Sequence, residues 1–447
     1  MVKLSFFGAA QEVTGSCFLI EDDKTKVLID CGLFQSPRFS NTKNREPFPF
    51  DPKGIDALFI THAHVDHTGR IPKLIKEGFK GKIYSTYPTR DLAQLMLKDS
   101  VGVLAKEAER EKEEILYVEA DVDKAMALWE GKNYHDTVSV GDMSFTLYDA
   151  GHVLGSAMIM AEVDSKKILF TGDLGNPTNP LLLGISKVPS PDYLITESTY
   201  GDREHEGVAE KKLKLERVIE QSVVQGGVLM IPAFSIERTQ ELLWEISDML
   251  RNKQIPNMQI FLDSPLAIHA TEIYQKYYSY LNRAYVDKES FSFFKLPMVH
   301  FSLTTEDSIA INSAPLPKII IAGSGMSTGG RILHHERRYL SDPKSTILFI
   351  GYQAPGSLGR RIADGAVSVK IFGEDVPIRC NKEVIYGYSS HPDEVSLFEF
   401  INSHVDSLKK VFTIHGEPKA SLAMVQKIRD YLGIDAEAPK YGESVIL

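Results

Sequence analysis

The chain begins as a series of short apolar runs, each cut off by a polar or glycine-rich turn. Val27-Leu28-Ile29, Ala57-Leu58-Phe59-Ile60, Phe145-Thr146-Leu147-Tyr148 and Leu169-Phe170 read as short strands. The stretch from Leu92 to Trp129 is rich in Leu, Ala, Lys and Glu and predicts helices, with Lys106 to Glu114 as a solvated helix face. From about residue 200 the pattern changes. Gly227 to Ile231, Gln259 to Leu262 and Lys318 to Ala322 are continuous apolar runs, as expected of a parallel sheet buried on both faces. Arg238 to Leu250, Ile268 to Tyr280 and Arg331 to Leu340 supply helices between them, so this part predicts α/β alternation. No internal repeat or low-complexity tract interrupts it.

Composition narrows the class only modestly. The 447 residues are enough for roughly two to three domains. Hydrophobic content of 43% and charged content of 25% are ordinary for a soluble globular protein. A net charge of −10 argues against a nucleic-acid coat held by charge alone, yet allows a groove where metal ions and local arginines bind phosphates. The cysteines Cys17, Cys31 and Cys380 form no disulfide framework and fit a reducing cytoplasm. Cys31 reads as packing. The apolar start at Met1 is broken too early for a secretory segment, and no run reaches transmembrane length. The expectation is a cytoplasmic protein with no membrane partner.

The chemistry is concentrated in Thr61-His62-Ala63-His64-Val65-Asp66-His67. This run follows the apolar Ala57 to Ile60 and precedes the turn Thr68-Gly69-Arg70. His62 and His64, two apart in an extended loop, can point their imidazoles the same way. Asp66 and His67 then face a second position. Imidazole nitrogens and carboxylate oxygens suit zinc and similar divalent ions. A polar loop with satisfied histidines is the bland alternative, but three histidines and an aspartate so close together point to a two-metal hydrolase. Further ligands are sought at strand ends: His152 in Gly151-His152-Val153-Leu154-Gly155-Ser156, and Asp173 in Thr171-Gly172-Asp173. A lone His or Asp there is ordinarily a capped loop residue; the glycines beside His152 and the earlier cluster favour metal.

These motifs, in this order, resemble the metallo-β-lactamase superfamily. The resemblance implies that His62, His64 and His152 hold one ion, that Asp66 and His67 hold a second, and that Asp173 bridges them. It also implies that Asp30, closing Val27-Leu28-Ile29, supports the ligands from behind. Downstream, Glu197 in Thr196-Glu197-Ser198-Thr199-Tyr200, His391 after Tyr388-Ser389-Ser390, and His415 in Thr413-Ile414-His415-Gly416 resemble the three later motifs of the β-CASP nucleases. The runs Ile231 to Arg238, Asp263-Ser264-Pro265-Leu266 and Gly323-Ser324-Gly325-Met326 look like the same branch. The implied fold is α/β: a metallo-β-lactamase αββα sandwich, residues 1–199 and 386–447, with an inserted β-CASP α/β domain, residues 200–385. No segment resembles an appended KH module.

The resemblance further implies hydrolysis of RNA phosphodiester bonds by a two-zinc activated hydroxide, leaving 5′ phosphate and 3′ hydroxyl. His391 paired with Glu197 is the general acid. Asp66 counts among the catalytic residues and His415 joins the second metal. Two Zn2+ per chain are expected, with Mn2+ as the alternative. Single-stranded RNA is the expected partner, and a homodimer is left open. Three other readings compete. A DNA-repair β-CASP nuclease resembles a pattern with valine where this chain has His415. A small-molecule metallohydrolase leaves the insertion and Glu197/His391 unused. A metal-free scaffold would have eroded ligands, whereas every ligand position here is intact. Finally, the loop after Ile319 to Ile321 predicts a phosphate site made of Ser324, Gly325, Ser327, Thr328 and Arg331, with His334 and His335 one turn further.

Overall fold

A computed structural model describes residues 1–35, 40–205, 207–286, 296–351, 353–354 and 356–447. The chain divides into two compact units: residues 1–177, 182–204 and 391–447 form the first, and residues 178–181 and 205–390 the second.

The first unit contains two seven-stranded sheets. One runs in the order Ser444–Ile446, Lys3–Phe6, Phe18–Glu21, Lys26–Ile29, Ala57–Phe59, Lys82–Thr86, Trp129–Lys132. The other runs Asp435–Glu437, Lys410–Ile414, Tyr193–Glu197, Lys166–Phe170, Ala157–Val163, Met143–Asp149, Thr137–Val140. Their inner faces meet in one core to which Leu4, Phe6, Ile29 and Phe59 contribute from the first sheet and Phe145, Phe170, Ile195 and Phe412 from the second. Phe59 and Phe145 stack across it with ring centroids 4.3 Å apart. Burying each such side chain contributes roughly 1.5–3 kcal/mol. A separate core, including Leu169, Leu194 and Val411, lies on the outer face of the second sheet under the helices Glu394–Asn402 and Pro418–Leu432. The helices Tyr87–Glu111 and Glu119–Leu128 pack on the first sheet. Layers of helix, sheet, sheet and helix result.

Two local differences from the sequence reading have simple causes. The helical stretch from Leu92 to Trp129 is broken at Lys112, whose φ of 57° is left-handed and closes the first helix at Glu111. Lys112 to Glu114 of the face read at Lys106 to Glu114 therefore lie beyond the helix. Trp129 begins a strand, its indole N–H donating to Ser85 Oγ at 2.8 Å.

The second unit is built on a six-stranded sheet in the order Val299–Phe301, Gln259–Leu262, Lys318–Ala322, Val228–Pro232, Thr346–Ile350, Asn381–Ile385. All its pairings are parallel. The continuous apolar runs therefore face helices on both sides. The stretch read as a single helix from Ile268 to Tyr280 is a helix Pro265–Lys276 followed by a 3-10 turn Tyr278–Tyr280. Arg331 lies just before its helix, Ile332–Tyr339. Among the described residues no helix is long and apolar enough to cross a membrane.

Candidate metal centre

The candidate ligands gather at strand ends of the first unit, contributed by both sheets. Ala57–Phe59 delivers the loop of His62 and His64, and the short helix Val65–Thr68 carries Asp66 and His67. This loop is stitched to two others. Ser16 N–H donates to the Asp66 carbonyl at 2.9 Å, and Cys31 N–H to the His67 carbonyl at 2.8 Å. The approach is so close that a Cβ at Gly32 would fall 1.5 Å from the Asp66 carbonyl oxygen. On the second sheet, Met143–Asp149, Lys166–Phe170, Tyr193–Glu197 and Lys410–Ile414 lead to His152, Asp173, Glu197 and His415. His152 follows Gly151, whose φ of 68° lets the chain double back after its strand.

Donor atoms converge in two groups, His62, His64, His152 and Asp173 in one, and Asp66, His67 and His415 in the other. Asp173 addresses both. Its Oδ2 lies 3.5 Å from His62 Nε2 and 3.6 Å from His152 Nε2. Its Oδ1 lies 3.3 Å from His67 Nε2 and 3.6 Å from His415 Nδ1. Asp66 Oδ2 sits 3.3 Å from His415 Nε2. Asp173, His391 and His415 make a third group, with His391 at the border of the cluster.

Hydrogen bonds from behind orient the rings. Asp30 accepts from Thr61 N–H and Thr61 Oγ at 2.8 Å each, and its Oδ2 lies 2.7 Å from His67 Nδ1. His152 Nδ1 is 3.2 Å from the Leu174 carbonyl. The fully buried Glu197 accepts from Leu174 N–H at 2.7 Å. Both its carboxylate oxygens are 3.0 Å from His391 Nδ1.

Electrostatics divide the histidines. Burial pushes His62 well down, helped by His67, and pushes His64 down to about 4, so these rings offer neutral lone pairs. Burial also works against charge on His67 and His415, but Asp173 overrides it, with Asp30 at His67 and Asp66 at His415, and both rise. Burial alone would raise Asp173; His415, His67 and His62 hold it well below the usual carboxylate range instead.

The donor set fits divalent metal. Buried imidazole nitrogens and carboxylate oxygens of this kind suit zinc. Asp173 Oδ1, buried, makes no hydrogen bond among the described residues although it points at two imidazoles. A cation on its His67 side would satisfy that oxygen.

The loop read as a phosphate site differs from the expectation in its side chains. It lies in the second unit. Ser327 is buried and its hydroxyl donates to Glu336, so it is not a surface donor, and that reading is corrected. Arg331 is likewise committed: Nη1 donates to Asp263 Oδ1 at 2.7 Å and to the Ser302 carbonyl at 2.8 Å, and Nη2 to the Leu303 carbonyl at 2.9 Å. His335, next on the helix, also bonds Asp263, at 2.7 Å. Gly325 is buried, its carbonyl accepting from Gln353 Nε2 at 3.0 Å. Ser324 and the exposed Thr328 bond each other at 3.1 Å and remain near the surface. The sequence reading gave no role to Ser16, Thr61 or Thr199, whose hydroxyls touch ligand histidines. A hydroxyl residue beside a ligand motif was the available signal for the last two.

The sandwich with its strand-end histidines and aspartates defines a metallo-β-lactamase-type hydrolase, and known proteins agree. The metallo-β-lactamase superfamily matches residues 10–217, the Beta-Casp domain residues 239–362, and the Zn-dependent metallo-hydrolase RNA specificity domain residues 375–439. The chain belongs to the β-CASP branch of the metallo-β-lactamase superfamily. Among its relatives, Ribonuclease TTHA0252 of Thermus thermophilus is 36% identical over 98% of both chains. An RNase J-like protein of Methanocaldococcus jannaschii is 34% identical over 99% of both. Transcription termination factor FttA of Methanosarcina mazei is 30% identical over 100% of this chain and 72% of its own. A solved structure of a protein of unknown function from Enterococcus faecalis spans 100% of both chains at a TM-score of 0.57 and 12% identity, a likeness of fold alone.

Proposed function

We propose that the protein is a two-metal ribonuclease that hydrolyses single-stranded RNA to products with 5′ phosphate and 3′ hydroxyl ends. The observation that carries this reading is Asp173, with Oδ2 turned to His62 and His152 and Oδ1 to His67 and His415. On this reading His62, His64, His152 and Asp173 hold one cation, and Asp66, His67, His415 and Asp173 the other. When bound, two zinc ions supply Lewis acidity at the phosphate and a water-derived nucleophile at neutral pH. The residues do the rest. Asp30 fixes the His67 ring and the Leu174 carbonyl the His152 ring, which keeps their other nitrogens aimed inward. As water adds to phosphorus and the P–O3′ bond breaks, His391 protonates the departing 3′ oxygen and Glu197 stabilises and orients the imidazolium. Ribonucleases among the relatives, and the match to an RNA specificity domain, favour RNA over the small-molecule or DNA-directed alternatives.

The test is one synthetic RNA labelled in turn at each end and incubated with zinc-loaded protein, with and without chelator. Chelator-sensitive products bearing 5′ phosphate are expected, and their sizes distinguish internal from terminal cutting. No cleavage by protein shown to hold two zinc ions would overturn the assignment.

A further inference from the structure

Among the imidazoles of the candidate metal centre, His415 meets a hydroxyl at Nδ1, as His62 does at Thr61 Oγ, where others use a carboxylate or a main-chain carbonyl. Asp30 stands at His67 Nδ1, the Leu174 carbonyl at His152 Nδ1 and Glu197 at His391 Nδ1. At His415 Nδ1 stands Thr199 Oγ, 3.1 Å away. The same hydroxyl donates to the His415 carbonyl at 3.0 Å. A hydroxyl has one proton to give. With that proton on the carbonyl, the hydroxyl oxygen accepts from Nδ1–H. The lone pair of His415 then lies on Nε2, the nitrogen 3.3 Å from Asp66 Oδ2.

The same hydroxyl also meets the backbone of His415. His415 has a φ of 47°, a left-handed conformation uncommon outside glycine. It is pinned by its own N–H, which donates to the Ala9 carbonyl at 2.7 Å, and at its carbonyl by the Thr199 hydroxyl and, at 3.4 Å, the Ser198 N–H. Parallel pairing of Glu197 with Ile414 brings Thr199 alongside His415, although 216 residues separate them.

We propose that Thr199 is a positioning residue that sets both the tautomer and the backbone of His415, and so tunes the Asp66, His67, His415 cation site selectively. This rests on the two-metal reading above. The test titrates zinc into purified protein in competition with a chromophoric chelator. Wild type is expected to hold two ions. Thr199→Val, which keeps the shape and removes the hydroxyl, should weaken one ion by about 10–100-fold, the usual cost of losing an outer partner of a ligand histidine. The other ion should be unaffected. Thr199→Ser should restore wild-type affinity at both. With cobalt in place of zinc, the visible spectrum of the Val variant should change in one site's bands only. Circular dichroism verifies the fold, and Thr199→Ala carries the comparison if Val does not fold. Wild type with two ions and a Val variant that binds both equally tightly would overturn the role of Thr199, as would a Ser variant as weak as Val. Wild type holding one ion would instead overturn the two-metal reading and this inference with it.

Discussion

His391 presents Nδ1 to both carboxylate oxygens of Glu197 at 3.0 Å, and Glu197 is wholly buried while the His391 side chain is 19% exposed. A buried carboxylate behind a partly exposed imidazole suits the proposed proton donor, held in place from behind. It differs from the candidate ligands His62, His67, His152 and His415, which are almost fully buried. His391 also lies within donor range of Asp173 and His415.

His391→Ala should slow RNA cleavage by roughly 10²–10⁴, the usual worth of a general acid. Zinc content should stay at the wild-type value. Glu197→Gln should give a smaller loss in the same direction. Elemental analysis of the Ala variant decides the matter: release of an ion would make His391 a ligand.

Much of this centre could be read from the sequence, for a physical reason. Its strands are continuous apolar runs ending abruptly in a polar ligand, so Ala57–Phe59 announces His62, and Lys166–Phe170 announces Asp173. The parallel sheet of the second unit was legible for the same reason. What stayed hidden depends on direction rather than composition. Ser327 lies in a Gly/Ser loop like its neighbours, but its side chain turns inward to Glu336. Arg331 reads as a free cation until Asp263, 68 residues earlier, is seen beside it. Thr199 is one hydroxyl among several until chain pairing puts it on His415.

Asp173 faces both donor groups, which sets it apart from a ligand belonging to one. His64→Ala should weaken a single ion, while Asp173→Asn should weaken both. Metal analysis after equilibrium dialysis separates these outcomes, and an Asn variant that lost only one ion would count against a bridging Asp173.

Burial pushes the Glu336 carboxyl up to about 8 from an ordinary 4.5, with the Ser327 hydroxyl only partly offsetting it. Glu336 Oε2 is buried without a hydrogen-bond partner among the described residues. The folded state therefore holds a proton that the unfolded chain releases, and between those two values stability falls as pH rises. The contribution is fully present below about pH 4.5 and is lost as pH climbs through about 8, with a limiting slope of roughly 1.4 kcal/mol per pH unit. Glu336→Gln should flatten that decline. Urea midpoints at several pH values between 5 and 8.5 check it, and parallel curves for wild type and variant would sink the idea.

Substrate choice gives the last prediction. The 2′-hydroxyl is the group by which a protein tells RNA from DNA at a site. Single-stranded RNA should therefore be cut much faster than DNA of the same sequence at matched zinc loading. Duplex RNA should be cut more slowly than single strands, because a phosphodiester held in a stacked helix cannot bend freely toward a cluster most of whose candidate ligands are buried. The comparison of kcat/KM across the three substrates is decisive, since loss in KM alone would reflect weak docking. Equal rates on RNA and DNA single strands would move the assignment to a DNA-directed β-CASP nuclease, and the metal centre would stand unchanged.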